Sequence, residues 1–442
     1  MTDHSVKEGP FPALASSKYW RFFVFTMLYV AQGIPIGVLL FAIPAYMAQS
    51  GIEAAVIGAF GALATLPHSI KLFLGPIMDR WTYLPMGKRR PWVLIAQSGI
   101  IFSFASMAFI PTPLSNMTLL MGGAFLVNFF VAFQDVATDG MAVDILHPDE
   151  QSQAASLMFG GQALGIALTT AGGAFLLDRS GVALAALVSS ALVIFIILLP
   201  LLSRERPGEK ILPWTSGKAS EMEPGSRPSG WLDIIASLFR YFFMSASMVF
   251  VFSIALYTIG RGLHMALVPV YFVQELGWKD TTFSNLTSLA SLVGAIVTMT
   301  VGGPLVHKVG RINFFAIGCI AIAGIGLSMA ILPFISASTE LLYAYRIVYA
   351  TLDTLTVVSI ISVAMAVCGR KVAATQFAIY MAISNFGLAG GQGLIGPLRA
   401  QFTDTQLFLI FAGLTFSALF VMRMVKVDHH QAKLEGMDMV AN

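Results

Sequence analysis

Apolar runs long enough to cross a bilayer recur along this chain in a pattern of six, a polar gap, and six more. A span needs about 20 apolar residues at 1.5 Å of helical rise each. The qualifying runs are 22–47, 54–77, 92–111, 117–142, 153–177 and 182–202, then 245–274, 282–304, 313–333, 341–367, 375–397 and 405–425. The gap holds Arg204, Glu205, Arg206, Pro207, Glu209, Lys210, Pro224 and Pro228. It reads as a solvated linker, with Trp231 to Arg240 lying along the interface before the seventh run enters. Only 11% of the 442 residues are charged and 57% are apolar, where a soluble chain carries about 25% charged residues. The expected fold is therefore an all-α membrane protein of twelve transmembrane helices in two six-helix bundles. The expected boundaries are 1–202 for the first bundle, 203–230 for the linker and 231–442 for the second bundle.

Charge placement orients these spans. Of the 26 Lys and Arg, twenty fall in the termini and in loops on one side, and three (Arg179, Lys279, Arg399) in loops on the other. The positive-inside bias puts both termini in the cytoplasm. Met1 to Ser17 is polar and lacks the layout of a cleaved signal, so the first apolar run is itself a span. Cys319 and Cys368 lie in apolar runs and read as packed thiols with no disulfide frame. His429-His430 sits in a polar tail and reads as solvated.

The two halves resemble each other. Pro44-Ala-Tyr46-Met-Ala-Gln49 recurs as Pro269-Val-Tyr271-Phe-Val-Gln274. Gly75-Pro76-Ile-Met-Asp79-Arg80 recurs as Gly303-Pro304-Leu-Val-His307-Lys308, and Asp135-Val-Ala-Thr138 as Asp353-Thr-Leu-Thr356. The three offsets are 225, 228 and 218 residues, a near-constant register that chance rarely yields. Parallel six-helix repeats joined by a long loop are a layout of secondary transporters, with solute bound near the midplane between repeats.

Chemistry concentrates in few places. Gly75-x-x-x-Asp79-Arg80 followed by Gly87-Lys88-Arg89-Arg90 reads as a cytoplasmic gate. Gly75 would admit a neighbouring helix, Asp79 would accept from a facing helix N-terminus, and Arg80 would pair with a carboxylate such as Asp144. A plain basic loop obeying the positive-inside rule is the simpler alternative. On the fourth run Asp135 and Asp139 are spaced i, i+4 and share a face. Carboxylates in a span are costly and face a cavity or a partner, so Asp135, Asp139 and Asp353 are candidate proton carriers. A structural ion pair with Lys71 or Arg80 is the competing role. Lys71 is either part of that coupling or snorkels to the cytoplasm, with His68 beside it. Arg261 lies too deep in the seventh run to snorkel. His264 follows it by three residues, and Arg346 lies two turns from Asp353. A permanently charged guanidinium there suits a solute carboxylate or phosphate, against a structural pair with Asp353. Gly33-Ile-Pro35-Ile-Gly37 should loosen the first helix near mid-membrane. Tyr29, Gln32, Asn128, Gln134 and Gln162 add hydrogen-bonding edges, or serve interhelical packing. No Walker loop, metal-ligand cluster or nucleophile with a matching base is present in the sequence, so neither an enzyme nor a cofactor is expected.

With Gly87-Lys-Arg-Arg-Pro91-Trp92, Gln134-Asp135-x-x-x-Asp139, Val143-Asp144-Ile-Leu and Leu66-Pro67-His68-x-x-Lys71 added, the chain resembles the AmpG-like branch of the major facilitator superfamily. That branch includes muropeptide permeases, some siderophore importers and acetyl-coenzyme A transporters. The resemblance implies proton-driven import of a bulky, anionic solute such as a muropeptide-like cell-wall fragment, by a monomer in the bacterial inner membrane. It implies a small molecule, protons and the lipid bilayer as partners, and no nucleic acid. Solute contacts would be Tyr29, Gln32, Asn128, Arg261, His264, Arg346 and Asp353. Coupling would use Asp135, Asp139 and Lys71, and the gate Gly75, Asp79, Arg80, Gly87, Arg89 and Asp144. Muropeptide permeases of the branch often carry two extra helices, which keeps the siderophore-type alternative open. Export of a drug or metabolite, and a non-transporting receptor on the same fold, also remain.

Overall fold

The computed structural model describes residues 11–146, 150–218, 242–332, 336–368, 373–427 and 430. Among them every regular element is helical. Lipid offers no partner to backbone N–H and C=O groups, so an apolar span must satisfy them within itself, and the helix does that. Among the described residues eight stretches, from Lys18–Gln49 to Asp404–Arg423, are long and apolar enough to cross a bilayer. Large apolar side chains point outward at Phe102, Phe195 and Phe420, as a lipid-facing surface requires.

The first expected span is one rod with a loosened middle. Helix α1 (Lys18–Pro35) passes through a π-helical stretch, Ile36–Ala42, into α2 (Ile43–Gln49). Pro35, which cannot donate its own backbone hydrogen bond, sits where the register changes. The second expected span is also interrupted. A 3-10 turn, Leu66–Ile70, separates α3 (Ala54–Thr65) from α4 (Lys71–Arg80), with Pro67 buried in it. Helices α5 (Arg90–Met107) and α6 (Met117–Ile145) follow. The long α7 (Gln151–Leu202) breaks at Gly181, whose φ of 70° is open to glycine. Two expected spans therefore meet there.

Later come α8 (Ser245–Val270), extended by a π turn at Tyr271–Glu275, and α9 (Asp280–Val297). Another π turn, Thr298–Gly302, leads into α10 (Gly303–Val309). Then come α11 (Arg311–Ile331), α12 (Thr339–Val367), α13 (Ala373–Gly393) and α14 (Ile395–Arg399). Helix α15 (Asp404–Arg423) starts from a Thr403–Gln406 capping box.

The chain divides into two compact units. One comprises Met1–Tyr46 with Phe73–Ser226, the other Met47–Leu72 with Arg227–Asn442. In the first, α1 lies against α7 with backbones nearly touching. A Cβ on Gly33 would stand 2.2 Å from the Gln162 carbonyl oxygen. In the second, α8 meets α13 the same way. A Cβ on Gly262 would stand 2.1 Å from the Leu388 carbonyl oxygen, and one on Gly391 2.0 Å from that of Ile259. Small residues permit such approaches in membranes. The core of the second unit is built from Phe250, Ile254, Tyr257, Phe315, Tyr380 and Phe411.

Three expectations are corrected here. The gap after residue 202 is not simply solvated: Ser203, Glu205 and Glu209 are buried, with Ser203 Oγ accepting from Trp20 Nε1, Glu209 Oε2 from the Arg206 backbone N–H, and Glu205 partnered as described below. The stretch 219–230 and the expected interfacial segment 231–240 lie outside the described residues. His430 is also buried, with Nε2 3.0 Å from the Val367 carbonyl oxygen, while His429 lies outside the described residues. Gly75 admits no close neighbour, since a Cβ there would meet nothing within 4 Å.

Candidate functional site

The second unit places three polar side chains on facing turns of α8 and α12. Arg261 Nε donates to both carboxylate oxygens of Asp353 at 2.9 Å. The hydroxyl of Tyr257, one turn earlier on α8, donates to Asp353 Oδ1 at 2.9 Å. Tyr257 is fully enclosed, and the Asp353 side chain is 11% accessible. The Arg261 side chain keeps 33% of its surface. Among the described residues its two terminal nitrogens make no hydrogen bond. Asp353 thus holds the guanidinium by Nε and leaves the planar fork of terminal N–H donors open, the edge that binds carboxylate or phosphate in a bidentate fashion.

One turn along α8, His264 is buried against an aromatic group. Its ring stacks on Tyr349 with centroids 3.8 Å apart and lies 4.7 Å from Phe411. Its Nε2 is 2.5 Å from the Tyr345 hydroxyl. Arg346, on α12, is 6% exposed and lies over the rings of Phe283 and Tyr349 at 5.9 Å. Its only hydrogen bond among the described residues goes to Thr287 Oγ1 at 3.3 Å, and its buried Nε has no partner. Two guanidiniums therefore lie near one carboxylate in this part of the unit, and among the described residues only Arg261 pairs with it.

The first unit repeats the tyrosine–aspartate arrangement. The Tyr29 hydroxyl on α1 donates to Asp139 Oδ1 on α6 at 2.5 Å. Tyr29 and Tyr257 are 228 residues apart, the same offset as Gly75 and Gly303. Tyr257 went unrecognised in the sequence, and this offset is the signal that could have found it. The sequence repeat matches Asp353 to Asp135, whereas the hydroxyl meets Asp139 one turn further on. Asp135 is half-buried. Gln134 Nε2 donates to the Leu28 carbonyl at 2.8 Å, and Gln162 Nε2 to Gln32 Oε1 at 3.2 Å. Asn128 is fully buried and donates to the Ala124 carbonyl of its own helix. Gln32 is buried and its Nε2 has no hydrogen-bond partner among the described residues, and α1 to α6 contact brings Tyr29 and Asp139 together. His68 and Lys71 fall with the second unit, where the His68 carbonyl accepts from Asn385 Nδ2.

At the α5 end of the first unit a second polar group forms. Lys88 and Arg89 each lie 3.3 Å from Asp144. Asp144, expected to meet Arg80, is held by these two cations; the side chains of Asp79 and Arg80 lie outside the described residues. Glu205 Oε2 accepts from the backbone N–H of Arg89 and Arg90 at 2.9 and 3.1 Å. It caps the α5 N-terminus from another part of the chain. Gly87 lies directly beneath it, where a Cβ would stand 2.6 Å from Glu205 Oε2. Arg90 is fully buried and donates to the carbonyls of Met86, Pro200, Leu201, Lys210 and Ile211. It closes the end of α7 as Glu205 closes the start of α5. The preceding segment joins this group: Leu14 and Ala15 donate to the carbonyls of Arg204 and Glu205, and Arg21 pairs with buried Glu150. Arg90 stood out only as part of the basic run after Gly87, and Arg21, Glu150 and Glu205 did not stand out in the sequence, because loop charges there are abundant.

A shallow depression of about 850 Å3 in the second unit is lined by Glu53, Gln274, Glu275, Arg399, Thr403 and Asp404. Burial alone would lower the Arg399 guanidinium pKa. Hydrogen bonds to Asp404 and Glu275 outweigh that and hold it above the ordinary arginine value. The three residues close on one another, and the second carboxylate leaves the group with a net charge of −1, so it offers no free cation to an anionic solute.

Comparison with known proteins follows the geometry. The chain is 25% identical over 401 residues to the anhydromuropeptide permease of Escherichia coli strain K12, covering 88% of this chain and 77% of that one. It is 23% identical over 384 residues to the putative transporter AmpG 4 of Rickettsia conorii, covering 83% and 87%. The crystal structure of the nucleoside transporter NupG (D323A mutant) superposes with a TM-score of 0.68 at 15% identity, covering 92% of this chain and 99% of that one. A bacterial homolog of the human lysosomal transporter Spinster gives 0.67 at 14% identity, covering 95% and 99%. The relatives are permeases and transporters, not enzymes. The family model of the Major Facilitator Superfamily matches residues 22–392 and again 250–437, and the chain belongs to that superfamily.

Proposed function

We propose that this protein is a proton-coupled symporter that imports a bulky anionic solute, a muropeptide-like cell-wall fragment, by alternating access. The observation that carries the reading is the open fork of Arg261, oriented by Asp353 and Tyr257. Two guanidiniums against one carboxylate leave this region with excess positive charge in a low dielectric, which favours an anion over a neutral solute. The relative named anhydromuropeptide permease supports the choice of solute. Asp139, exposed and hydrogen-bonded to Tyr29, is the preferred proton carrier, with Asp135 assisting. Asp144 with Lys88 and Arg89, together with Asp79, Arg80 and Gly87, would form the cytoplasmic gate. The basic loops support an inner-membrane orientation with both termini in the cytoplasm.

Transport in proteoliposomes tests this. With an anhydromuropeptide as solute, Asp139→Asn should abolish accumulation driven by a proton gradient and spare counterflow. Equal loss of both activities would remove Asp139 from coupling. Arg261→Ala should raise the apparent KM of uptake at least tenfold, as loss of a charge-assisted bidentate contact predicts. An unchanged KM would remove Arg261 from the binding site.

A further inference from the structure

Arg346 adds positive charge in the preceding reading, which names no group of the solute for it. It is buried, its Nε is an orphan, and Thr287 is its one hydrogen-bond partner among the described residues. Asp353 lies near enough to affect it electrostatically, but Arg261 already holds that carboxylate through Nε. An ionised group enclosed without a counter-ion is costly, and the faces of Phe283 and Tyr349 repay only part of that cost. A membrane helix that keeps such a charge stores it for a partner that arrives.

We infer that Arg346 is a second anion contact, and that the solute carries two acidic groups about 10 Å apart, one for Arg261 and one for Arg346. This rests on the reading of Arg261 as the first contact. The spacing comes from α12 itself. Arg346 and Asp353 are seven residues apart, two turns on one face, and at 1.5 Å per residue that is about 10 Å. Asp353 fixes the level of the Arg261 fork, so the two guanidiniums mark the ends of the solute. Tyr349 lies between them on the same helix and stacks on His264. Both rings are buried, so this stretch offers no polar partner to the body that joins the two acids. The selected class is thus an elongated dianion. A monoanion, or a compact dianion, would leave Arg346 unpaired.

Binding to the purified full-length protein tests this, using linear α,ω-dicarboxylates of four to ten carbons and monocarboxylates of matching length as probes. Affinity should rise with dicarboxylate length, by roughly 10- to 100-fold over the matching monocarboxylate at the best length, the worth of one charge-assisted hydrogen-bonded contact. Arg346→Met should erase that gain and weaken monocarboxylate binding far less than dicarboxylate binding, whereas Arg261→Ala should weaken both probes. Arg346→Lys keeps the charge if the methionine variant fails to fold, and it should retain part of the gain. A wild-type protein that binds monocarboxylates and dicarboxylates equally at every length overturns the inference and leaves the Arg261 reading standing. Equal weakening of both probes by Arg346→Met or Arg346→Lys marks Arg346 as structural and also overturns it. Failure of every probe to bind sinks the anionic reading itself, and the inference with it.

Discussion

Replacing Asp353 by Asn should destabilise the empty protein and make it respond more strongly to an anion. The substitution keeps the shape, and the amide oxygen can still accept from Tyr257. What it removes is the charge that faces Arg261 Nε at 2.9 Å. Breaking a buried ion pair by deleting one partner costs about 3–5 kcal/mol, because the other charge is stranded. Arg261 keeps 33% of its side-chain surface, so water recovers part of that cost, and about 2–3 kcal/mol is the reasoned value. Arg261→Met alone strands Asp353 instead. The double variant strands neither, so the two changes together should cost about 2–3 kcal/mol less than their sum. Reversible unfolding of the purified protein in mixed micelles measures the cycle. A monocarboxylate added to Asp353→Asn should restore more stability than it adds to the wild type, since it replaces the missing counter-charge. Additive costs in the cycle, together with no extra rescue by the anion, would refute the view that Asp353 neutralises and aims Arg261.

Tyr257→Phe removes the neutral donor to Asp353 and should cost about 1–2 kcal/mol in the same unfolding measurement, with a smaller rise in the KM for uptake than Arg261→Ala gives. Glu205→Ala frees two backbone N–H groups at the start of α5 and should cost about 1–2 kcal/mol. Limited trypsin digestion should then cut at Arg204, Arg206 or Lys210 faster than in the wild type. Gly262→Ala drives a methyl group to 2.1 Å from the Leu388 carbonyl oxygen, so folded yield and thermal midpoint should fall, as overpacking by about 1–3 kcal/mol requires. Gly172→Ala, which meets nothing within 4 Å, should leave both unchanged.

Much of the fold is legible along the chain because a membrane asks for a local property. Each span must be apolar over its own length, and the runs that end near Gln49, Leu202 and Gln274 do so in the structure. The breaks are partly legible too. Gly33 to Gly37 foretold a loosened first helix, and the π turn lies at Ile36–Ala42. The same two glycines also seat α1 on α7, which the sequence does not reveal. The 3-10 turn at Leu66–Ile70 was hidden by a run that stays apolar through Pro67. The site was half legible. Arg261, His264, Arg346 and Asp353 stand out as charges or imidazole in lipid, whereas Tyr257, Tyr345 and Tyr349 are ordinary residues for such a helix. Their roles exist only once α8 and α12 face each other.

The sequence by itself determined that the chain spans a membrane as two related sets of helices, and which charged side chains lie within them. Hydropathy and repeat register are carried by neighbours along the chain and need no tertiary contact. Only the tertiary structure decided the partners. Arg261 takes Asp353 from 92 residues away, and Tyr29 takes Asp139 rather than Asp135 from 110 residues away. Glu205 leaves an apparently solvated linker to cap α5. Each choice depends on the rotation of one helix about its axis by a fraction of a turn. That rotation is set by where glycines let backbones touch and where bulky side chains keep them apart.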